Sequence, residues 1–550
     1  MKTIATPPAM LSALLFLAGC NFAPHYDAPK LDSGTKFKEA VPGDSVAEGW
    51  KLAEPNDAAP RGNWWEIYND PQLNELEEKV AISNQTVVAA EASYRAAQAL
   101  VLEAQAALFP TLGIDPSVTR SRSSASVSSL SGGGAGTTGS NSNSIAVGGS
   151  TVPRTIYSVP LQASYQVDLW GSIRNNIAQN RFSAEASAAQ LANALLSTQS
   201  TLAQDYFQLR IADELRRILD ATLADFESNL HLVRTLFNNG LASDEDIAQA
   251  ETQLQSAMAQ ATDLGITRAQ FEHAIAVLIG LPPSQFSLPY RKFNQALPPI
   301  PVGVPADLTE RRPDIASAER QVAAANAAIG VARAAYFPTL TLSATAGFES
   351  TSLSQLFNWP NRFWSLGPDL AQTLFDGGAR RARTEQARAL NDQAAANYRQ
   401  TVLSALQSVE DNLASLRILS QELTQQRQAA AAAQRAVELS VVRFRNGVDS
   451  YVNVITAQTA FLNAREAEVQ VWLRQLTASV NLINNLGGGW ARSQWPQTES
   501  LAQHPLTAPA SAAIPAAQTE AAAPNPPPLP SRELRPEDIV RQNREAMQPD

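Results

Sequence analysis

Hydrophobic and polar positions alternate strictly in parts of this chain. From Tyr157 to Leu169 the odd positions read Tyr, Val, Leu, Ala, Tyr, Val, Leu, and the even ones read Ser158, Pro160, Gln162, Ser164, Gln166 and Asp168. A period of two over this length is that of a tilted strand crossing a bilayer. Leu340, Leu342, Ala344, Ala346 and Phe348 alternate in the same way with Thr341, Ser343, Thr345 and Gly347. Leu112, Ile114 and Val118 form a shorter version, and Trp364 to Leu374 a weaker one that Pro368 is expected to break. The pattern therefore predicts two strand pairs, at about 111–120 with 156–169 and at about 339–349 with 364–375. A soluble sandwich hairpin would explain any single strand. It does not explain two pairs set about 170 residues apart.

Between the pairs the period changes. No Gly or Pro occurs between Gly171 and Asn239, or from Ala379 to Asn446. At ~1.5 Å per residue each run makes a helix of ~100 Å. Leu215, Leu219, Leu223, Phe226, Leu230, Val233 and Phe237 keep the three- and four-residue spacing of a coiled-coil seam. Asn239-Gly240 and Asn446-Gly447 carry the chemistry of a left-handed helix cap. Ser243 and Ser450 are the expected N-caps of returning helices. Long helical hairpins are thus expected over 171–280 and 379–487.

The chain is also internally duplicated. Phe109-Pro110-Thr111-Leu112 returns 228 residues later as Phe337-Pro338-Thr339-Leu340. Gly171, Asn239-Gly240 and Gly280 return 207 residues later as Gly378, Asn446-Gly447 and Gly487. The 21 extra residues of the first copy fall in the stretch that holds the Ser/Gly tract 121–150, expected to be a surface loop. The first repeat is placed at 63–290 and the second at 300–490, each a helix, a strand pair and a long hairpin. Four strands cannot close a barrel, and open edges are not tolerated in lipid. Three copies would close a twelve-stranded one. Phe357, Trp359, Phe363, Trp364 and Trp170 suit an aromatic belt at its rims; a capping apolar cluster is the alternative.

Composition narrows the function classes. A net charge of −10 gives no electrostatic case for nucleic acid, and no run of 18 apolar residues follows the N-terminal segment. His25, His231, His273 and His504 are scattered and there is one cysteine, so neither a metal site nor a Cys/His nucleophile is supported. No enzyme and no cofactor are expected. That cysteine follows Lys2, the apolar run Ala9 to Leu17, and Leu17-Ala18-Gly19-Cys20. This is a lipoprotein signal over residues 1–19. Cys20 is expected to carry S-diacylglycerol and N-acyl (palmitate-type) lipid at the head of an extended segment, 20–62. Asn21, not Asp, follows it, which reads as anchoring at the outer membrane. The Pro/Ala-rich tail 491–550 is expected to be disordered.

These residues resemble the TolC-like outer-membrane efflux proteins, in their lipoprotein (NodT-type) branch. Cys20-Asn21-Phe22-Ala23-Pro24-His25-Tyr26 is similar to that branch's Cys-x-Val-Gly-Pro-x-Tyr start, with Phe22 and Ala23 departing from it. Trp64-Trp65, Asp70-Pro71-Gln72-Leu73, and Arg311-Arg312-Pro313-Asp314-Ile315 leading through Ala328-Ile329-Gly330 to Phe337-Pro338 match further blocks. The resemblance covers about Cys20 to Trp490. It implies an α+β membrane protein: a homotrimer whose twelve-stranded transmembrane β-barrel, four strands per chain, continues into a long α-helical coiled-coil barrel in the periplasm of a Gram-negative bacterium. The function implied is the exit duct of a tripartite RND-type pump, working with a periplasmic adaptor (membrane fusion protein) and an inner-membrane transporter to export small molecules such as drugs.

In the family the hairpin tips form the gate and meet the adaptor. Asp449 matches the tip motif and is the first choice for an acidic ring that selects cations; its alternative is a local role at the helix start. Asp244 and Asp246 are weaker gate candidates, because the helix dipole alone accounts for acids in a first turn. Arg443 and Arg445 stand one turn before the tip as their partners, or as solvated side chains. Docking is expected at Gly240, Leu241, Ala242, Ser243, Gly447, Val448 and Ser450. A duct for protein secretion of type I is the competing reading. A trimeric adhesin would place its four strands consecutively rather than in two separated pairs.

Overall fold

The computed structural model describes residues 21–27, 29, 37–39, 63–122, 153–293, 296–298 and 312–488. The signal 1–19, Cys20, most of 20–62, the Ser/Gly tract from 123 to 150 and the tail 491–550 lie outside the described residues.

After a 3₁₀ turn, Trp64–Tyr68, the chain forms α1 (Pro71–Ser83), α2 (Gln85–Ala106), β1 (Thr111–Ile114), β2 (Ser117–Ser121), β3 (Arg154–Val167), α3 (Ser172–Asn238) and α4 (Asp244–Leu278). There follow α5 (Pro313–Ala334), β4 (Thr339–Ser350), β5 (Arg362–Ala371), α6 (Ala379–Arg445) and α7 (Tyr451–Asn485). The duplication is kept in the lengths of the helices. Helices α3 and α6 both have 67 residues, α4 and α7 both have 35, and α2 and α5 both have 22.

The sheet is antiparallel throughout, in the order β1/β2, β3, β4, β5. β1 and β2 hold one register on β3 and are parted only at Asp115-Pro116, where proline has no N–H to give the ladder. Observed strands begin and end within a few residues of the pattern-based ranges: β3 starts at Arg154 and ends at Val167, and β5 spans Arg362–Ala371. The expected break at Pro368 does not occur. Pro368 pairs with Leu342 inside a continuous β5, which a proline tolerates on an edge strand.

Pro160 in β3 stands opposite Gly347 in β4. A Cβ at position 347 would lie 2.3 Å from the Val159 carbonyl oxygen and 2.8 Å from Pro160 Cα, so only glycine fits.

The helices pack as long hairpins, α4 returning along α3 and α7 along α6, with α2 and α5 laid against them. Leu219, Phe226, Leu230 and Val233 of the seam are buried, whereas Phe237, one residue from the end of α3, is exposed. The main core joins Tyr68, Leu73, Leu202, Tyr206, Phe207, Val402 and Leu476, drawn from both repeats. A second core near the hairpin ends joins Phe226, Val233, Leu254, Phe444, Tyr451 and Val454.

Candidate channel wall and hairpin tips

The register sorts the sheet into two faces. On one, Val159 meets Phe348, Leu161 meets Ala346, Tyr165 meets Leu342 and Val167 meets Leu340, and Leu370, Leu366 and Trp364 extend the row onto β5. On the other, Ser158 meets Glu349, Gln162 meets Thr345, Ser164 meets Ser343 and Gln166 meets Thr341. Leu112, Ile114 and Val118 of β1 and β2 lie with the apolar row. Much of that row is uncovered: Leu112, Trp364 and Leu366 are each more than 70% exposed. A wall apolar on one side and polar on the other, with strand edges open at β1/β2 and β5, is built to separate lipid from an aqueous bore. Among the described residues no helix is long and apolar enough to cross a membrane.

Aromatic residues lie at both ends of the strands. Phe357 and Trp359 are exposed in the connection between β4 and β5, where Arg362 lies 3.8 Å over the Trp359 ring. At the opposite end Trp170 stacks on Phe337 (4.9 Å), which stacks in turn on Phe22 (4.4 Å). Trp170 Nε1 also donates to Pro338 O at 2.7 Å. Phe22 opens a strap whose carbonyls accept from Arg333 (Phe22 O, 3.3 Å) and Asn326 (Pro24 O, 2.9 Å). Gly330 leaves room for it, since a Cβ there would meet Ala23 Cβ at 2.8 Å and Asn175 Nδ2 at 2.6 Å.

The two tips turn by one mechanism. Gly240 (φ +71°) and Gly447 (φ +69°) take the left-handed conformation. Leu241 N–H donates to Leu236 O (2.9 Å) and Gly240 N–H to Phe237 O (2.8 Å). Val448 and Gly447 repeat this to Arg443 O (3.0 Å) and Phe444 O (2.9 Å). Both ends are thus Schellman motifs, which satisfy the last carbonyls of the long helices. Beyond them the hairpins differ. Ser243 Oγ accepts from Asp246 N–H (3.2 Å) and the Asp246 carboxylate accepts from Ser243 N–H (2.8 Å), a capping box. Ser450 makes no side-chain cap, contrary to the expectation that it would. Its N–H donates instead to Asp449 Oδ1 (3.0 Å), which also accepts from Asn453 Nδ2.

Asp449 also pairs with Arg443 of its own hairpin, at 3.2 Å. The bond from Asn453 is the largest effect on its carboxyl; burial opposes it, and the Ser450 N–H and the Arg443 charge add to it, so that the carboxyl is held below the usual carboxylate range. Asp449 is therefore ionised at neutral pH. Asp246 is taken up by its capping box, and its charge acts on Tyr451 of the second hairpin. Burial first and that charge second push the Tyr451 phenol up to about 12. Asp244 and Arg445 are exposed and make no ion pair among the described residues. Leu241 and Val448 are exposed at the two turns, and the space over Gly240 and Gly447 is open. Gln253 Nε2 donates to Thr459 Oγ1 (3.2 Å) and links the hairpins.

A buried charge network escaped the sequence reading. Arg210, with no exposed surface, donates to Asp213 Oδ2 (2.7 Å), Pro289 O (3.0 Å) and Gln72 Oε1. Asp213 also accepts from Arg268 Nε (2.8 Å), and Arg268 reaches Glu272 (2.9 Å). Asp70, cap of α1, accepts from the Tyr206 hydroxyl (2.7 Å) and from Arg291 (3.1 Å). The available signal was the interruption of an apolar row, Leu209 and Ile211, by Arg210 and Asp213 one turn apart.

A two-faced strand wall joined to long helical hairpins defines a TolC-like outer-membrane channel. The outer membrane efflux protein family model matches residues 76–281 and 304–488, and the chain belongs to that family. It is 33% identical over 488 residues to the pyoverdine export outer membrane protein OpmQ of Pseudomonas aeruginosa, covering 88% of this chain and 96% of that protein. With the antibiotic efflux pump outer membrane protein ArpC of Pseudomonas putida it shares 29% identity over 476 residues, 86% of this chain and 93% of the relative. The outer-membrane channel OprN superposes with a TM-score of 0.73 at 26% identity, covering 86% of this chain and 99% of that one. The protein is the outer-membrane exit duct of an efflux system.

Proposed function

We propose that three copies of this chain close a twelve-stranded barrel and export small organic molecules, handed over by a periplasmic adaptor and an RND-type inner-membrane transporter. The observation that carries this reading is the wall: one apolar face, one polar face, and an unpaired strand at each edge of a single chain. Open edges in lipid leave backbone groups unpaired at a cost of several kcal/mol each, so β5 of one copy pairs with β1/β2 of the next. Small molecules are favoured as cargo because the relatives are named for antibiotics and pyoverdine. Lipid on Cys20 anchors the chain at the outer membrane. The sequence divides as set out above, with the two repeats at 63–290 and 300–490.

The gate in this reading is Asp449, poised by Arg443, with three carboxylates repeated about the axis; Asp246, Asp244 and Arg445 contribute charge around it. The adaptor docks on the turns Gly240–Ser243 and Gly447–Ser450. The exposed Leu241 and Val448 supply apolar contacts there, and the glycines permit close approach of a partner helix. Mass measurement of the detergent-solubilised complex alongside single-channel recording tests the reading. A trimer with small, rarely open, cation-preferring conductance is expected, and Asp449→Ala should leave the trimer intact and raise its conductance. A monomer, or a trimer silent under every condition, would refute the duct. An unchanged conductance would remove Asp449 from the gate.

A further inference from the structure

The five strands carry five charged residues, Arg120, Arg154, Glu349, Arg362 and Asp369. The register divides them by face. Arg154 stands opposite Ser121, Glu349 opposite Ser158 and Asp369 opposite Thr341, all in polar rows. Arg120 comes two residues after Val118, and Arg362 stands opposite Phe348, two residues before Trp364. Side chains two apart in a strand share a face, so these two arginines lie in the apolar rows. They are the only charges there.

A charge on a lipid-facing row is costly in mid-membrane and tolerated near the membrane surface. Both arginines sit at the strand ends farthest from the helices: Arg120 is one residue from the end of β2, and Arg362 opens β5. Phe357 and Trp359 are exposed at that same end, the level at which aromatic residues meet lipid headgroups. Both arginines are exposed, and neither has an ion-pair partner among the described residues. Arg362 lies 3.8 Å over the Trp359 ring. Stacking occupies the flat face of a guanidinium and leaves the N–H donors in its plane free.

Anions are scarce around them. From Pro116 to Val167 the chain holds Arg120, Arg122 and Arg154 but no Asp or Glu, the Ser/Gly tract included. The connection 351–361 has no charged residue. In a chain of net charge −10, the loop end of the apolar face is therefore purely positive. One copy splits the pair, because β2 and β5 lie at opposite edges of the sheet. Where β5 of one copy pairs with β1/β2 of the next, Arg362 and the neighbouring copy's Arg120 come to the same end of adjacent strands.

We propose that each seam between copies binds the phosphate of a membrane lipid, in the leaflet at the loop end of the barrel, through Arg362 of one copy and Arg120 of the next. The proposal rests on the trimeric barrel proposed above. Guanidinium forks match phosphate oxygens in geometry and charge. Arg122 adds charge beside Arg120, and the acyl chains run along the exposed Val118, Trp364 and Leu366.

The test is native mass spectrometry of the full-length protein in detergent, titrated with diphosphoryl lipid A, with uncharged diacylglycerol and inorganic phosphate in parallel. Trimers carrying up to three molecules of lipid A are expected. Arg362→Gln and Arg120→Gln should each weaken binding about tenfold, the loss of one charge-assisted contact. Arg154→Gln, at the same end but in a polar row, should leave it unchanged. Equal loss in all three variants would show a diffuse field and overturn the site, as would no loss in Arg362→Gln and Arg120→Gln. Diacylglycerol or inorganic phosphate bound as tightly as lipid A would overturn the lipid phosphate as ligand. The same spectra give the copy number. A protein that is not a trimer refutes the barrel on which the seam depends, whereas a trimer without bound lipid A refutes the site alone.

Discussion

Asp213 bridges two buried cations, and this makes the buried network testable by an order of costs. In Asp213→Asn, Arg210 is left without any anion, fully buried, holding only Pro289 O and the Gln72 side chain. Arg268 keeps Glu272, so one uncompensated charge remains. Breaking a buried pair in this way costs about 3–5 kcal/mol. In Arg210→Met the carboxylate of Asp213 is not orphaned, because Arg268 Nε at 2.8 Å and the Arg291 N–H at 3.4 Å stay with it. What is lost is one charge-assisted bond and the partners of two neutral oxygens, while methionine refills most of the space of the arginine stem. That sum is about 2–3 kcal/mol. The double variant Arg210→Met, Asp213→Asn should then cost less than the two singles together, since the orphaned cation is gone. The assay is thermal loss of helical circular dichroism in detergent for the four proteins of the cycle. A larger cost for Arg210→Met than for Asp213→Asn, or strict additivity, would refute the bridging argument.

Three further outcomes follow from single positions. Glu77 is fully buried with neither carboxylate oxygen bonded, and burial raises its pKa well above about 4.5. A folded pKa above the unfolded one gives stability that is present below about pH 4.5 and lost as pH rises toward the folded value. Glu77→Gln should therefore match wild type near pH 4 and exceed it at neutral pH, with melting at both pH values as the check; a pH-independent difference would refute it. Gly347→Val should prevent heat-resistant trimers on gels, because its Cβ would overlap the backbone at Val159-Pro160, and normal trimers would refute the close approach. Ser243→Ala should lower the melting temperature by the equivalent of about 1 kcal/mol, whereas Ser450→Ala should change it little, because only Ser243 caps its helix.

The sequence alone determined the periodic architecture. Alternation at Tyr157–Leu169 and Leu340–Phe348, the Gly- and Pro-free runs, and the offsets of 207 and 228 are local or repeated signals, and each follows from backbone geometry within one element. The left-handed turns at Gly240 and Gly447 were legible for the same reason: few residues other than glycine adopt that conformation. Tertiary structure alone decided which partners those elements meet. Pro368 reads as a strand breaker until β5 is seen at the edge of the sheet. Ser243 and Ser450 occupy equivalent positions in the two repeats, yet only one caps: the Asn453 N–H, the donor that a Ser450 cap would need, goes to the Ser450 carbonyl at 3.2 Å. The bridge from Arg210 through Asp213 to Arg268 spans 55 residues between Asp213 and Arg268 and unites two helices, and the strap from Phe22 reaches Arg333 across 311. Such contacts have no period to read. They are set when packed helices remove charges from water and each must find whatever opposite charge or carbonyl the fold has brought within 3 Å.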